Sequence, residues 1–313
     1  MTRAFTRTLT ITLILAMLIP ATAFSTEKLT LMLDWFPNVD HTPIYVAQEK
    51  GYFADNGVDL TIMAPSETSD ALKLAAAGKV DLAVSYQPQT TIAAAQGLDL
   101  RVVAPLVRHP LTTLLFLDTA IKTPSDLSGQ KIGYTVPGLM DVMLKAFADI
   151  NGIQDYTPVN VGFTILPALS AKKVSAVMGP FKTYETVGMA QHGVTAHYFE
   201  LEKYGIPDYE ELIFVAGPGA LAKKRAAVKG FVTAIAKALE DVQARPDQSL
   251  ALYLKAVPEA DKTVETRAFE LTRPYFATTL GHNTEKWQAF ADFALKYGLI
   301  DAPVDGASLV HNW

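Results

Sequence analysis

Four stretches of this sequence gather residue types suited to recognising a small planar molecule. Asp34-Trp35-Phe36-Pro37-Asn38-Val39-Asp40-His41 sets an indole, an amide and an imidazole close together. A flat indole can stack on an aromatic guest, and Asn38 can both donate and accept a hydrogen bond. Each has a purely structural reading too: Trp35 as a core plug, His41 as a satisfied loop histidine. Ser85-Tyr86-Gln87-Pro88-Gln89 offers the Ser85 hydroxyl and the Gln87 amide either to a polar ligand edge or to the cap of a following helix. Gly179-Pro180-Phe181-Lys182-Thr183-Tyr184-Glu185 ends in a carboxylate. That group can accept two hydrogen bonds from an amidine-like edge, or sit as a solvated charge at a helix start. Gly133-Tyr134-Thr135-Val136-Pro137-Gly138 precedes a helix in the manner of a phosphate cradle, but lacks the Gly-rich spacing and the Lys that phosphates need.

Catalytic chemistry is poorly represented. With no cysteine, the chain can form no disulfide, thiolate-held zinc site, iron–sulfur cluster or cysteine nucleophile. It contains no His-Glu-x-x-His, nucleophile elbow or Gly-x-Gly-x-x-Gly, and its six histidines are dispersed. Ser170-Ala171-Lys172-Lys173 matches Ser-x-x-Lys without the companion motifs and reads as a helix end. A net charge of −5 with only 19% charged residues argues against an extended nucleic-acid footprint. Neither metal nor cofactor is expected.

The elements that must position these residues alternate. Apolar strands are predicted at Leu29–Leu33, Val58–Met63, Val80–Val84 and Leu100–Val107, with helices at Pro43–Phe53, Ser69–Ala77 and Pro88–Gln96 between them. The pattern restarts with strands at Lys131–Tyr134, Thr157–Val161, Ser175–Met178 and Thr195–Phe199, and helices at Leu139–Ile150, Ile165–Ala171 and Tyr184–Gln191. After Gly219 it is all-helical: Lys223–Ala244, Pro246–Ala256, Thr263–Tyr275 and Thr284–Tyr297. Strands apolar on both faces with helices between them imply mainly parallel sheets covered on both sides. Two extended stretches, Thr113–Asp118 and Leu212–Ala216, read as crossings between two α/β lobes. The first lobe is then discontinuous, residues 24–112 plus 218–313, and the second spans 117–212. Open parallel sheets bind ligands beyond the carboxyl ends of their strands, so facing lobes place all four stretches around one cleft.

Residues 1–23 read as a secretory signal peptide: Arg3 and Arg7 open it, an apolar run follows from Leu9 to Pro20, and Ala21-Thr22-Ala23 supplies small residues for cleavage. The run is shorter than the ~20 residues a membrane-spanning helix needs. No cysteine follows it to carry a lipid, so the expected product is a free periplasmic protein.

Leu33-Asp34-Trp35-Phe36-Pro37-Asn38, His41-Thr42-Pro43-Ile44-Tyr45-Val46-Ala47 and Lys50-Gly51-Tyr52-Phe53 resemble the opening of the pyrimidine-precursor proteins of thiamine metabolism. Gly78-Lys79-Val80-Asp81 and Lys131-Ile132-Gly133-Tyr134 continue the likeness, which covers about residues 28–300. It implies a bilobal α/β fold of the periplasmic-binding-protein type II. One branch of that family binds aminopyrimidines for an ABC importer, with a permease and an ATPase as partners. The other makes the pyrimidine from pyridoxal phosphate and its own histidine, using a lysine and a histidine after the third strand and a cysteine cluster. Here Ser85 and Gln89 stand at those lysine and histidine positions, which points to a binder and not an enzyme. The binding branch carries an aromatic-rich stretch ending in Glu, which Glu185 matches. Lys182 replaces one of its aromatics, leaving Phe181 or Tyr184 as the second stacking ring. The Val136-Pro137-Gly138 loop departs from the Gly/Ser-rich form, implying an unphosphorylated ligand. The resemblance thus gives Trp35, Asn38, His41, Ser85, Gln87, Gly138, Phe181, Tyr184 and Glu185 as the expected ligand contacts, in a protein expected to be a monomer. Other cargoes of the same scaffold are a riboflavin-like ring or an alkylsulfonate, and an anion would want more than the single cation Lys182.

Overall fold

The structure is a computed structural model that describes residues 26–311 and 313; the expected signal peptide lies outside the described residues. Among the described residues, ten strands form two sheets of five. Strands β1 (Glu27–Met32), β2 (Val58–Met63), β3 (Leu82–Ser85) and β4 (Arg101–Val107) belong to the first sheet. Strands β5 (Thr112–Phe116), β6 (Lys131–Tyr134), β7 (Thr157–Asn160), β8 (Ala176–Phe181) and β9 (His197–Glu200) make up the second. Strand β10 (Leu212–Ala216) returns to the first, giving the orders β2-β1-β3-β10-β4 and β7-β6-β8-β5-β9.

Strands β1, β2 and β3 pair in parallel, as do β6, β7 and β8, whereas β10 and β5 run antiparallel to both of their neighbours. Those two reversed strands are the stretches that the sequence presents as crossings. Every residue of both is buried in the sheet it enters. Their direction follows from connectivity: a strand arriving from the cleft must run away from it, opposite to strands whose carboxyl ends reach it. The chain passes between sheets at 108–111 and again at 205–211, so Thr112 belongs with the second lobe and Leu212 with the first.

Two further departures bear on the site. The expected strand Ser175–Met178 extends through Gly179-Pro180-Phe181. Gly179 has φ +126°, and a Cβ there would lie 2.0 Å from Thr135 Oγ1, so only glycine lets β8 pass the Thr135 loop this closely. Pro180 lacks an N–H but sits where the β5 register shifts, and its carbonyl accepts from Thr113 Oγ1 at 2.8 Å. The helix after His41 breaks at Gly51 (φ +74°) into Thr42–Glu49 and Tyr52–Asp55.

Consecutive glutamates secure the crossings in opposite electrostatic regimes. Glu210 is buried, which pushes its pKa up, yet hydrogen bonding and charge from His282 and the Arg108 guanidinium hold it below the usual carboxylate range. Arg108 reaches it at 2.6 Å, His282 Nδ1 at 2.9 Å and Trp287 Nε1 at 3.2 Å. Glu211 accepts from the backbone N–H groups of Leu111 (2.5 Å) and Thr112 (2.7 Å) and from Thr112 Oγ1 (2.8 Å), all neutral donors. Burial therefore prevails and raises its pKa to about 7, from 4.5. The carboxylate of one crossing thus holds the backbone of the other.

Glu211 binds its proton more tightly folded than unfolded, so its contribution to stability is full below about pH 4.5 and is lost as pH rises to about 7. Glu211→Gln keeps an acceptor for the two N–H groups and removes that titration. Thermal melts between pH 4.5 and 7.5 should show the variant gaining on the wild-type protein as pH rises, by up to about 3 kcal/mol. A stability difference that stays constant across this range would refute the assignment.

Candidate functional site

The carboxyl ends of β1 and β3 and the end of β8 converge on one narrow cavity between the lobes. Asp34, Trp35, Asn38, Asp40 and Tyr86 line it from the first lobe, and Thr135, Ile165, Gly179, Phe181, Tyr184 and Glu185 from the second. The Trp35 indole and the Glu185 carboxylate, far apart in sequence, face the same space.

The loop that presents Trp35 is held by a closed set of buried hydrogen bonds. Asp34 follows β1, and its carboxylate accepts from His41 Nε2 at 2.9 Å and from the Tyr86 hydroxyl at 2.7 Å. His41 Nδ1 accepts the Asn38 N–H at 3.3 Å, which assigns the imidazole proton to Nε2. Asn38 caps the 3-10 turn Val39–His41, its Oδ1 accepting the Asp40 N–H at 2.8 Å. Thr42, which has the type of an N-cap, instead bonds its hydroxyl back to the Val39 carbonyl at 2.7 Å. Trp35 is left half-buried over the cleft, with its ring 4.5 Å from Phe163 of the second lobe at an interplanar angle of 62°.

From the other side, Phe181 and Tyr184 present their rings and Glu185 its carboxylate. Glu185 starts the helix Glu185–Gln191, and its Oε2 accepts the Phe181 N–H at 2.6 Å. Its second oxygen makes no hydrogen bond to another residue among those described. Burial raises its pKa to about 7 against the opposing backbone hydrogen bonds. The Tyr86 hydroxyl is pushed well above its ordinary value by burial and by Asp34, so it stays a donor.

Trp35, Asn38, Phe181, Tyr184 and Glu185 thus come together as expected of a cleft. Four expected contacts do not. His41 is fully buried, and both its nitrogens are committed to Asp34 and Asn38, so it positions the loop. The Ser85 hydroxyl donates to Gln89 Oε1 at 2.9 Å and lies beside Thr90 Oγ1, and the residue is fully buried. Gln87 turns its Oε1 to the Glu210 N–H at 2.8 Å, joining the helix after β3 to the second crossing. Gly138 is exposed in a left-handed turn (φ +80°), its N–H held by Asp141 Oδ1 at 2.7 Å. Lys182 is turned away from the cleft, with Nζ between Glu200 (2.9 Å) and Glu202 (2.8 Å), and its pKa is raised despite burial.

Sequence reasoning missed Asp34, Asp40, Tyr86 and Phe163. The first three lie inside the quoted stretches, and a carboxylate directly after an apolar strand is a readable signal. Phe163, in a short turn after β7, carries none. Among the described residues, no group of three or more His, Asp or Glu side chains is placed to hold a metal ion.

Comparison with known proteins finds relatives in both sequence and fold. A Haemophilus influenzae protein named for thiamine biosynthesis is 35% identical over 92% of each chain. The formylaminopyrimidine-binding protein of Halalkalibacterium halodurans is 33% identical over 75% of this chain and 72% of that one. A 4-amino-5-hydroxymethyl-2-methylpyrimidine phosphate synthase of Saccharomyces cerevisiae is 26% identical over 88% and 85%. The alkanesulfonate-binding protein of Xanthomonas axonopodis pv. citri, solved with MOPS bound, superposes with a TM-score of 0.73 at 17% identity, covering 91% of this chain and 98% of that one. The fold is therefore that of the periplasmic binding proteins. Residues 38–249, more than half of the sequence, match the family described as NMT1/THI5 like, and the chain belongs to that family.

Proposed function

We propose that this protein is the periplasmic solute-binding component of an ATP-driven importer, and that it captures an aminopyrimidine precursor of thiamine for delivery to the permease. The observation that carries this reading is the shared cavity, lined by an indole from one lobe and by a half-buried carboxylate from the other. An aminopyrimidine is flat and edged with donors. Trp35 stacks on its face, with Phe181 or Tyr184 opposite, and Glu185 accepts its exocyclic amino hydrogen. A relative named as a formylaminopyrimidine-binding protein supports that cargo class, and the Arg3-to-Ala23 segment supports export.

Polar and aromatic contacts link the lobes around the cavity. Thr68 Oγ1 donates to the Thr135 carbonyl (2.7 Å), the Thr272 hydroxyl to Thr183 Oγ1 (2.9 Å), and the Tyr184 hydroxyl to Glu265 Oε1 (2.9 Å). A guest touching both lobes adds to these contacts and favours the closed arrangement, which a permease can distinguish from the open one.

The synthase reading has less support. Its Schiff-base lysine position is Ser85, whose hydroxyl is buried and committed to Gln89. These residues do not fit a covalently held pyridoxal phosphate. An alkylsulfonate cargo is disfavoured by charge, since Asp34, Asp40 and Glu185 line the cavity while Lys182 is paired elsewhere.

Glu185→Gln should weaken aminopyrimidine binding by roughly 1.5–3 kcal/mol, read by calorimetry; unchanged affinity would reject the assigned role. Trp35→Ala should weaken every flat ligand alike, and loss for one ligand only would count against a stacking platform. Tyr184→Phe keeps the ring and removes the link to Glu265. It should cost affinity by about 1–2 kcal/mol and shift the ligand-bound protein toward a more open shape in small-angle scattering. An unchanged radius of gyration and unchanged affinity together would dismiss the latch.

A further inference from the structure

Three aromatic rings meet across the two lobes beside the cavity. Phe36 of the first lobe and Phe163 of the second lie with ring centroids 4.4 Å apart at an interplanar angle of 36°. The Trp35 ring stands 4.5 Å from Phe163 and 6.5 Å from Phe36. Trp35 belongs to the cavity lining, whereas neither phenylalanine does. Phe36 is 50% exposed, while Ile165, two residues beyond Phe163, is buried in the lining. The phenylalanine pair therefore stands between the indole and solvent.

Each ring is carried on a turn locked by its own lobe. Asn38 Nδ2 donates to the Phe36 carbonyl at 3.2 Å, and the same side chain caps the 3-10 turn Val39–His41. On the other side, Asn160 Oδ1 accepts the Gly162 N–H at 3.0 Å, and the Thr164 hydroxyl donates to the Val161 carbonyl at 2.7 Å. Gly162 supplies the left-handed residue of that turn, with φ +48°. None of these bonds crosses between the lobes. The turns keep their shape when the lobes part, and only the contact between the rings is made or broken.

Resting on the aminopyrimidine reading, we propose that Phe36 and Phe163 form an aromatic cap over the mouth of the cleft, and that this cap selects a single-ring guest by size. Rings at 4.4 Å are in van der Waals contact and leave no passage for a bulky substituent. A compact aminopyrimidine is enclosed with the cap shut. The ring contact then adds to the polar links Thr68–Thr135, Thr272–Thr183 and Tyr184–Glu265 that hold the lobes together. A pyrimidine with a second ring on its 5-substituent, as in thiamine itself, props Phe36 and Phe163 apart. It keeps its stacking on Trp35 but forfeits closure, so precursor and finished thiamine are separated by bulk. Trp35 and Glu185 recognise the pyrimidine, and the two phenylalanines set how much may be attached to it.

The test is calorimetry of the purified protein with 4-amino-5-hydroxymethyl-2-methylpyrimidine and with the same ring bearing a 5-benzyl group, which adds bulk without charge. The wild-type protein should bind the hydroxymethyl compound at least about tenfold more tightly than the benzyl one. Phe36→Ala and Phe163→Ala should each move the two affinities in opposite directions, weakening the hydroxymethyl compound and strengthening the benzyl one. Phe163→Tyr keeps a ring in place and should retain the wild-type preference. Equal wild-type affinities, or alanine variants that weaken both compounds together, overturn the cap while leaving the aminopyrimidine reading intact. The wild-type comparison holds even where a variant fails to fold. If neither pyrimidine binds, the aminopyrimidine reading itself falls, and this proposal with it.

Discussion

A single carboxylate organises the cleft. Asp34 accepts from His41 and from Tyr86, two buried donors on different segments, and so joins the end of β1, the loop to residue 41 and the start of the helix after β3. A carboxyl group removed from water is held by its hydrogen bonds, and these two fix the loop's conformation. Trp35 stands directly beside Asp34 and cannot pack into the first lobe without breaking that set. Its exposure to the cleft, its contact with Phe163 and the placement of Asp40 all depend on the same bonds.

The crossings impose a second constraint. A two-lobed protein must pass its backbone between sheets without stranding polar groups, and here each crossing satisfies the other. Glu211 caps the N–H groups of Leu111 and Thr112, and Gln87 exchanges hydrogen bonds with Glu210. The adjacent glutamates show how environment decides charge: the Arg108 guanidinium and its hydrogen-bonding neighbours hold one pKa down, and neutral donors leave burial to raise the other.

Much of the architecture is legible in the sequence because period and punctuation are local. Val58–Met63 and Pro246–Ala256 are read to the residue, as apolar alternation bounded by glycine or proline dictates. The extended stretches at 113–118 and 212–216 read as crossings, and residues 112–116 and 212–216 prove also to be sheet strands. Hydrophobic runs announce burial but not which sheet receives them, and only the pairing of β10 between β3 and β4 answers that.

At the site, residue type and position beyond a strand's end are enough to single out Trp35 and Glu185. They are not enough for His41, Ser85 and Gln87, whose polar atoms are equally suited to a guest or to the protein. Sequence determined which chemistry was available: aromatic faces, carboxylates, amides, and no thiol or catalytic motif. Tertiary structure alone decided which of those groups spend their hydrogen bonds inward and which line the cavity. The reason is that hydrogen-bond satisfaction depends on neighbours far apart in the chain, such as Tyr86 for Asp34 or Glu210 for Gln87, and no local pattern encodes them.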